Sequence, residues 1–406
     1  MKLKLPYGKG FESIEFSRPI DFLRTQTCKF KPITLQELFK HIEQSLKQLD
    51  IGKTVAIAVP DYTRPNITKL ILPKMVDLLL QKNVYKIKIC IGTGLHRPPV
   101  PAEISELIPE TVREYRQTKI VIHEPIDRNK LKFLGYTTLQ TPVWILKEYC
   151  ETDTKLVLSL VEPHQFAGFS GGAKGVAIGL GGKQTIDSNH SKLLLPGSVT
   201  GKILDNPVRR DIDEIGNIVG IDLLVNVVLD ETGSPLAIFC GSHPTSHRRA
   251  CGLLRLLYGV KVKTLYDVVI VSAGGYPRDI DLYQSQKALP IAEAFCKPGG
   301  TIILLAECSK GYGDAEFVRT LKEAKSPESL VENFCIESFA VGPHKAYLLA
   351  KTLSRYKVVI VSSLPSNELK EMFFIPKSNL KEAVEDLPKS TKILVIPHAS
   401  KYIPML

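Results

Sequence analysis

The chain lacks any apolar run long enough to cross a membrane. Its longest runs, 268–273 and 301–306, stop far short of the ~18 residues a span requires. No C-x-x-C pair occurs among its eight cysteines, Cys28, Cys90, Cys150, Cys240, Cys251, Cys296, Cys308 and Cys335. That spacing argues against a zinc knuckle, and most of these residues sit inside apolar segments. They read as buried free thiols in a reducing compartment rather than as a disulfide framework. The opening stretch MKLKLPYGKGFESIEF carries no apolar core of the kind that marks a secretory signal, so the cytoplasm is the expected location. No block of five or six basic residues is present either. Lysine and arginine number 53 against 42 acidic residues, a net charge of +11, but they are scattered. A solvated basic surface follows, with neither nucleic acid nor membrane as an expected partner. Such a field still draws in small anions.

What is present is the composition of a globular protein, 44% hydrophobic and 23% charged, over 406 residues. That length exceeds one ordinary core and suggests two or three domains. Short β-rich runs alternate with helical patterns. Strands are expected at 53–59, 85–91, 119–122, 155–161 and 222–229, with helices at 67–80, 100–113 and 248–258. The alternation resets near residue 260. Strands then follow at 267–273, 301–306, 357–362 and 392–397, with helices at 284–295, 317–323 and 346–354. This pattern predicts two α/β domains with largely parallel sheets and an active-site cleft between them. The expected domains are 1–260 and 261–395, with a tail, 396–406, returning to the first.

In such sheets ligands bind off the carboxyl ends of strands, and four stretches with chemical promise fall there. Asp61-Tyr62-Thr63-Arg64-Pro65 follows the first strand. Arg64 offers a planar fork for carboxylate or phosphate, although a helix cap with a nearby proline explains the stretch equally well. Gly92-Thr93-Gly94-Leu95-His96-Arg97 puts a histidine on a glycine-bearing loop, weak evidence by itself. The longest signal runs from Glu162-Pro163-His164 through Gly168, Gly171, Gly172 and Lys174 to Asn189-His190. Its glycines are too dense for regular packed structure, and serial backbone N–H groups there could cradle phosphate. It fits neither the Walker A loop nor the dinucleotide fingerprint. In the fourth stretch, Gln284 and Lys287 share a helix face at i, i+3, a candidate carboxylate clamp or an ordinary polar helix start.

Taken together and in order, these motifs resemble the nickel-dependent lactate racemase family. The resemblance rests on D-x-T-R-P at 61–65, G-x-H-R at 94–97, E-P-H-x-x-A-G-F-S-G-G-x-K at 162–174, N-H at 189–190 and L-Y-Q-S-x-K at 282–287. The stretch 306–313 and His344-Lys345 add weaker similarity. It implies a racemase or epimerase of a 2-hydroxy acid, lactate or a related one, using a nickel-pincer nucleotide. That cofactor is a pyridinium-3,5-bisthiocarboxylic acid mononucleotide carrying nickel. By resemblance, His190 is the protein's nickel ligand and Lys174 carries the cofactor covalently. His96 and His164 are the paired acid and base. Arg64, Gln284 and Lys287 hold the substrate carboxylate. Asp61, Thr63, Gly171, Gly172 and Tyr283 line the nucleotide's ribose and phosphate. The implied partners are a small anionic 2-hydroxy acid and the proteins that build the cofactor.

The chemistry asks for these residue types. The α-hydrogen of a hydroxy acid is weakly acidic, so leaving as hydride while the hydroxyl loses a proton is the easier route. That needs a base near each hydroxyl position, hence two histidines. It also needs a hydride acceptor, which no side chain is. The sequence departs from the family pattern in two places. Lactate-specific members have a tryptophan near the substrate, whereas the single tryptophan here, Trp144, precedes the His164 motif. Ala173-Lys174 stands where Arg-Lys is often found. Two other readings explain part of the pattern. One is a zinc-dependent hydrolase ligated by His96, His164 and His190. The other is a non-catalytic nucleotide- or anion-binding protein.

Overall fold

The computed structural model describes residues 2–16, 19–23, 30–230, 232–334 and 342–405. The chain divides into two compact units, residues 26–257 and residues 1–25 together with 258–406.

The first unit is built on a six-stranded sheet. Its order is Pro235–Gly241, Leu223–Leu229, Thr154–Leu160, Thr54–Pro60, Lys86–Gly92, Thr118–Ile122. All neighbours pair in parallel except the edge strand Pro235–Gly241, which runs antiparallel. The central strand TVAIAVP is buried along nearly all its length, as a parallel strand covered on both faces should be. Helices Leu35–Lys47 and Ile67–Gln81 cover one face with Ile42, Leu46, Ile71, Leu72 and Met75. Chain order runs outward in both directions from Thr54–Pro60 and Thr154–Leu160. The topological switch point therefore lies between these two strands, where α/β sheets bind ligands.

The second unit has an all-parallel sheet ordered Ile375–Lys377, Lys357–Val361, Cys296–Leu305, Tyr266–Ser272, Ile393–Ile396, Asp21–Phe22. Two expectations about the termini fail here. Residues 1–25, expected in the first domain, belong to this unit. Leu3, Leu5, Ile14 and Phe16 of an N-terminal hairpin pack on Val268, Ile270, Ile303 and Leu305. The Gly8 N–H donates to Asp279 at 2.6 Å, and the Ser272 hydroxyl to the Pro6 carbonyl at 2.6 Å. The tail stays in this unit too, because Ile403–Met405 pairs in parallel with Gly259–Lys261.

Two expected helices are interrupted. The one at 100–113 splits into Pro101–Leu107 and Glu110–Arg113, because Ile108 is extended before Pro109. The one at 284–295 is a series of short turns, Leu282–Ser285, Gln286–Ala288 and Leu289–Glu293, the last restarted at Pro290. Of the eight cysteines, Cys28 and Cys335 lie outside the described residues, and the six described ones are free thiols. No helix among the described residues is long and apolar enough to cross a membrane.

Candidate active site

Three of the four motif stretches, with Asn189-His190, lie in the first unit. Asp61 comes directly after Thr54–Pro60, and Glu162-Pro163-His164 one residue after Thr154–Leu160, so they flank the switch point. The loop bearing His96 follows the neighbouring strand Lys86–Gly92. It is tied to the region after Lys174, since the Gly94 N–H donates to the Gly179 carbonyl at 3.0 Å. A Cβ on Gly92 would sit 3.1 Å from the Gly179 Cα, so a side chain there would force the two loops apart.

His96 is exposed, and its Nδ1 lies 2.7 Å from Oδ2 of Asp61, which is 3% exposed. Oδ1 of the same carboxylate accepts the Thr63 hydroxyl at 2.6 Å and the Thr63 N–H at 3.2 Å. Burial alone would raise the Asp61 pKa. The His96 hydrogen bond and charge, with Thr63 and Arg64, outweigh it and hold the carboxyl below its ordinary value. An ionised carboxylate can only accept, so Nδ1 of His96 carries the proton, and in the neutral ring Nε2 is left as the acceptor. Both oxygens of Asp61 and the Thr63 hydroxyl are thus committed to each other and to His96. The two loops are also linked by Arg97, which stacks over the Tyr62 ring at 4.5 Å and pairs through both terminal nitrogens with Glu103. Arg64 is exposed, and its backbone N–H donates to the Asp61 carbonyl.

His164 is half-buried and reversed in its hydrogen bonding. Its Nδ1 accepts the Ala167 N–H at 3.2 Å, so in the neutral ring the proton sits on Nε2. The two histidines are therefore held as opposite tautomers, one presenting an acceptor and the other a donor. Phe166, 3% exposed, stands edge-on between rings, 4.7 Å from His164 and 5.2 Å from His190. Phe166 carried no signal in the sequence beyond its place in the motif.

The glycine-rich loop is more tightly packed than a phosphate cradle. Gly171 and Gly172 have φ of +76° and +60°, and a Cβ on Gly172 would lie 2.7 Å from the His247 ring. The Gly172 N–H is spent on Asn226 Oδ1 at 3.0 Å and Ser159 Oγ at 3.2 Å. Lys174, half-buried, opens the short helix Lys174–Ala177, its N–H bonded to the Gly171 carbonyl. His190 is 9% exposed near the end of helix Lys183–Ser191.

Tyr283, Gln284 and Lys287 belong to the second unit, described by itself. Asp281 caps the turn by accepting the Gln284 N–H at 2.7 Å. Gln284 Oε1 accepts from the Lys287 ammonium, so the two side chains do share a face. Tyr283 stands edge-on to Phe317 at 5.5 Å, with Lys345 Nζ 5.9 Å from its ring centroid. Trp144 sits on a two-stranded hairpin of the first unit, 4.9 Å from Phe133 and with Arg128 over its ring.

Among the described residues no three His, Cys, Asp or Glu side chains converge as a metal site. The three-histidine zinc centre therefore finds no support, since His96, His164 and His190 would have to meet.

Residues 31–201 match the family described as the lactate racemase N-terminal domain, and residues 261–401 its C-terminal domain. The chain belongs to the lactate racemase family. It is 30% identical to the lactate racemase of Thermoanaerobacterium thermosaccharolyticum over 97% of both chains. It is 30% identical to that of Lactiplantibacillus plantarum over 87% of this chain and 85% of the other. The solved structure of the T. thermosaccharolyticum lactate racemase apoprotein superposes with a TM-score of 0.93 at 29% identity, covering both chains fully. A Thermotoga maritima protein shares the fold, with a TM-score of 0.72 at 18% identity over 92% of this chain and 99% of the other. Family membership makes the protein an isomerase, a racemase, with two α/β domains and largely parallel sheets.

Proposed function

We propose that the chain interconverts the enantiomers of a small anionic 2-hydroxy acid, lactate or a close relative, with His96 and His164 as paired acid and base. The observation that carries this reading is the opposite hydrogen bonding of the two imidazoles at Nδ1. With Nδ1–H fixed on Asp61, Nε2 of His96 can take the proton of a substrate hydroxyl. Asp61 then stabilises the charge the ring acquires. Nε2–H of His164 can return a proton to oxygen from a second position. The roles exchange when the other enantiomer enters, as a racemase requires.

When bound, a nickel-pincer nucleotide supplies the hydride acceptor that no side chain offers. His190 is the residue proposed to hold its nickel, and Lys174 the residue proposed to tether it through its amine. Arg64, Gln284 and Lys287 are assigned the substrate carboxylate, where a guanidinium and an ammonium fix the plane of the reacting centre. The six free thiols accord with a reducing compartment, and the cytoplasm is part of this proposal.

The test is a chirality screen of cofactor-loaded protein against a panel of single-enantiomer 2-hydroxy acids. Racemisation of at least one, lost in both His96→Ala and His164→Ala, is expected. Cofactor binding with no change in any configuration would leave only the non-catalytic nucleotide-binding reading.

A further inference from the structure

The helix Pro207–Val219 contains none of the motifs, yet it buries three charged side chains. Arg209 and Asp211 are 0% exposed and Asp213 8%. Residues two apart on a helix project about 200° from each other, and these two do face different partners. Arg209 turns to the glycine-rich loop. Its Nη2 donates to the Phe169 carbonyl, its Nε to Ala167 at 3.4 Å and its Nη1 to Gly171 at 3.5 Å. Around it, the Phe166 carbonyl accepts from Asn206 Nδ2 at 2.9 Å and the Gly168 carbonyl from the Gly201 N–H at 2.9 Å. The Ser170 carbonyl bonds Nε2 of His247 at 2.8 Å. Every carbonyl from 166 to 171 is thereby held from inside. Burial, then the Arg209 charge, keeps the His247 imidazole neutral, which suits a donor with a single fixed tautomer.

Asp211 turns the other way. It accepts the Thr137 hydroxyl at 2.6 Å, the Thr141 hydroxyl at 2.9 Å and Asn189 Nδ2 at 2.8 Å, with Lys192 Nζ 3.8 Å away. Asn189 is the residue before His190.

A buried guanidinium is a poor choice for stability alone, since apolar groups of similar volume serve as well or better. We propose that Arg209 and Asp211 are positioning residues, Arg209 setting the loop that leads to Lys174 and Asp211 the helix that presents His190. The functional meaning of this assignment rests on the cofactor reading above, while its structural core does not.

The experiment compares wild type, Arg209→Met, Arg209→Lys and Asp211→Asn by peptide-resolved hydrogen exchange on the whole chain without cofactor. Steady-state kinetics are then measured on cofactor-loaded protein. Arg209→Met should lose protection at 168–174 and keep it at 184–190, and Asp211→Asn should do the reverse. Each should lower kcat by about 10²-fold with KM little changed, the scale of a misplaced reacting group. Arg209→Lys should fold yet fail to restore the loop, because an ammonium is not a planar fork. Loosening of both segments together in step with a lower Tm would overturn the proposal, as would Arg209→Met or Arg209→Lys with wild-type protection and kcat. If the wild type racemises none of the acids, the exchange data still decide the positioning, and the failure lies with the activity reading.

Discussion

Replacing Asp61 with asparagine should stop His96 from acting as a base, for a reason that can be worked atom by atom. Two donors from Thr63, at 2.6 and 3.2 Å, converge on one oxygen of Asp61 and require an acceptor there. In Asp61→Asn the amide oxygen takes that place, and the NH2 falls 2.7 Å from His96 Nδ1, where the second carboxylate oxygen was. A donor facing Nδ1 needs a lone pair on it, so the ring proton moves to Nε2 and the acceptor is lost. Turning the amide over breaks both Thr63 bonds, at about 0.5–1.5 kcal/mol each. The charge-assisted bond that supports the protonated ring, worth about 1.5–3 kcal/mol, is lost as well. The sum, about 2.5–6 kcal/mol, corresponds to a fall in kcat of about 10²–10⁴-fold. Initial rates from each enantiomer, followed by chiral chromatography of cofactor-loaded protein, read this directly, with Tm as a control for folding. Adding Thr63→Val removes one donor, lets the amide turn, and should return about tenfold of the rate. A rate for Asp61→Asn within threefold of wild type would refute the orienting role.

Mass spectrometry of the loaded protein should find the cofactor's mass on Lys174, and full activity with that lysine unmodified would remove the covalent tether. His190→Ala should lose stoichiometric nickel from the loaded protein while its circular dichroism stays unchanged; retained nickel would reject His190 as the ligand. Stability should fall with acid. Burial pushes the His123 pKa from 6.5 down to about 4, with its Nε2 on the Gly181 carbonyl, so below pH 6.5 the unfolded chain binds a proton the folded one refuses. That contribution is intact above pH 6.5 and lost by pH 4, about 3 kcal/mol in all. His123→Gln should flatten this part of the urea-unfolding profile, and an unchanged slope would contradict it.

Alternating short apolar strands and helices made the parallel sheets legible, because periodicity and β-branched content are local properties. The breaks at Pro109 and Pro290 were also written locally, in prolines that the longer helical patterns overran. Membership of the N-terminal hairpin was not local. It depends on Gly8 meeting Asp279 across 271 positions, which no window of sequence displays. The site divides in the same way. His96, His164 and Lys174 stood out as polar residues in glycine-bearing loops beyond strand ends, and His190 as the end of the longest motif. The partner of His96 did not, because a capping aspartate and an orienting aspartate look alike in sequence until the two loops meet. Arg209 and Asp211 were hidden for the opposite reason. Charged residues on an amphipathic helix read as a solvated face, and only the packed structure reveals them as buried.

The central claim is that the hydrogen leaving the chiral carbon returns to it as a hydride without mixing with water. It is tested most directly by giving single-enantiomer [2-²H]lactate, or the acid selected by the chirality screen, to cofactor-loaded enzyme in ordinary water. The product enantiomer should keep its deuterium at partial conversion. Product that has lost the label to solvent would mean that a side chain removes the α-hydrogen as a proton, contradicting the account.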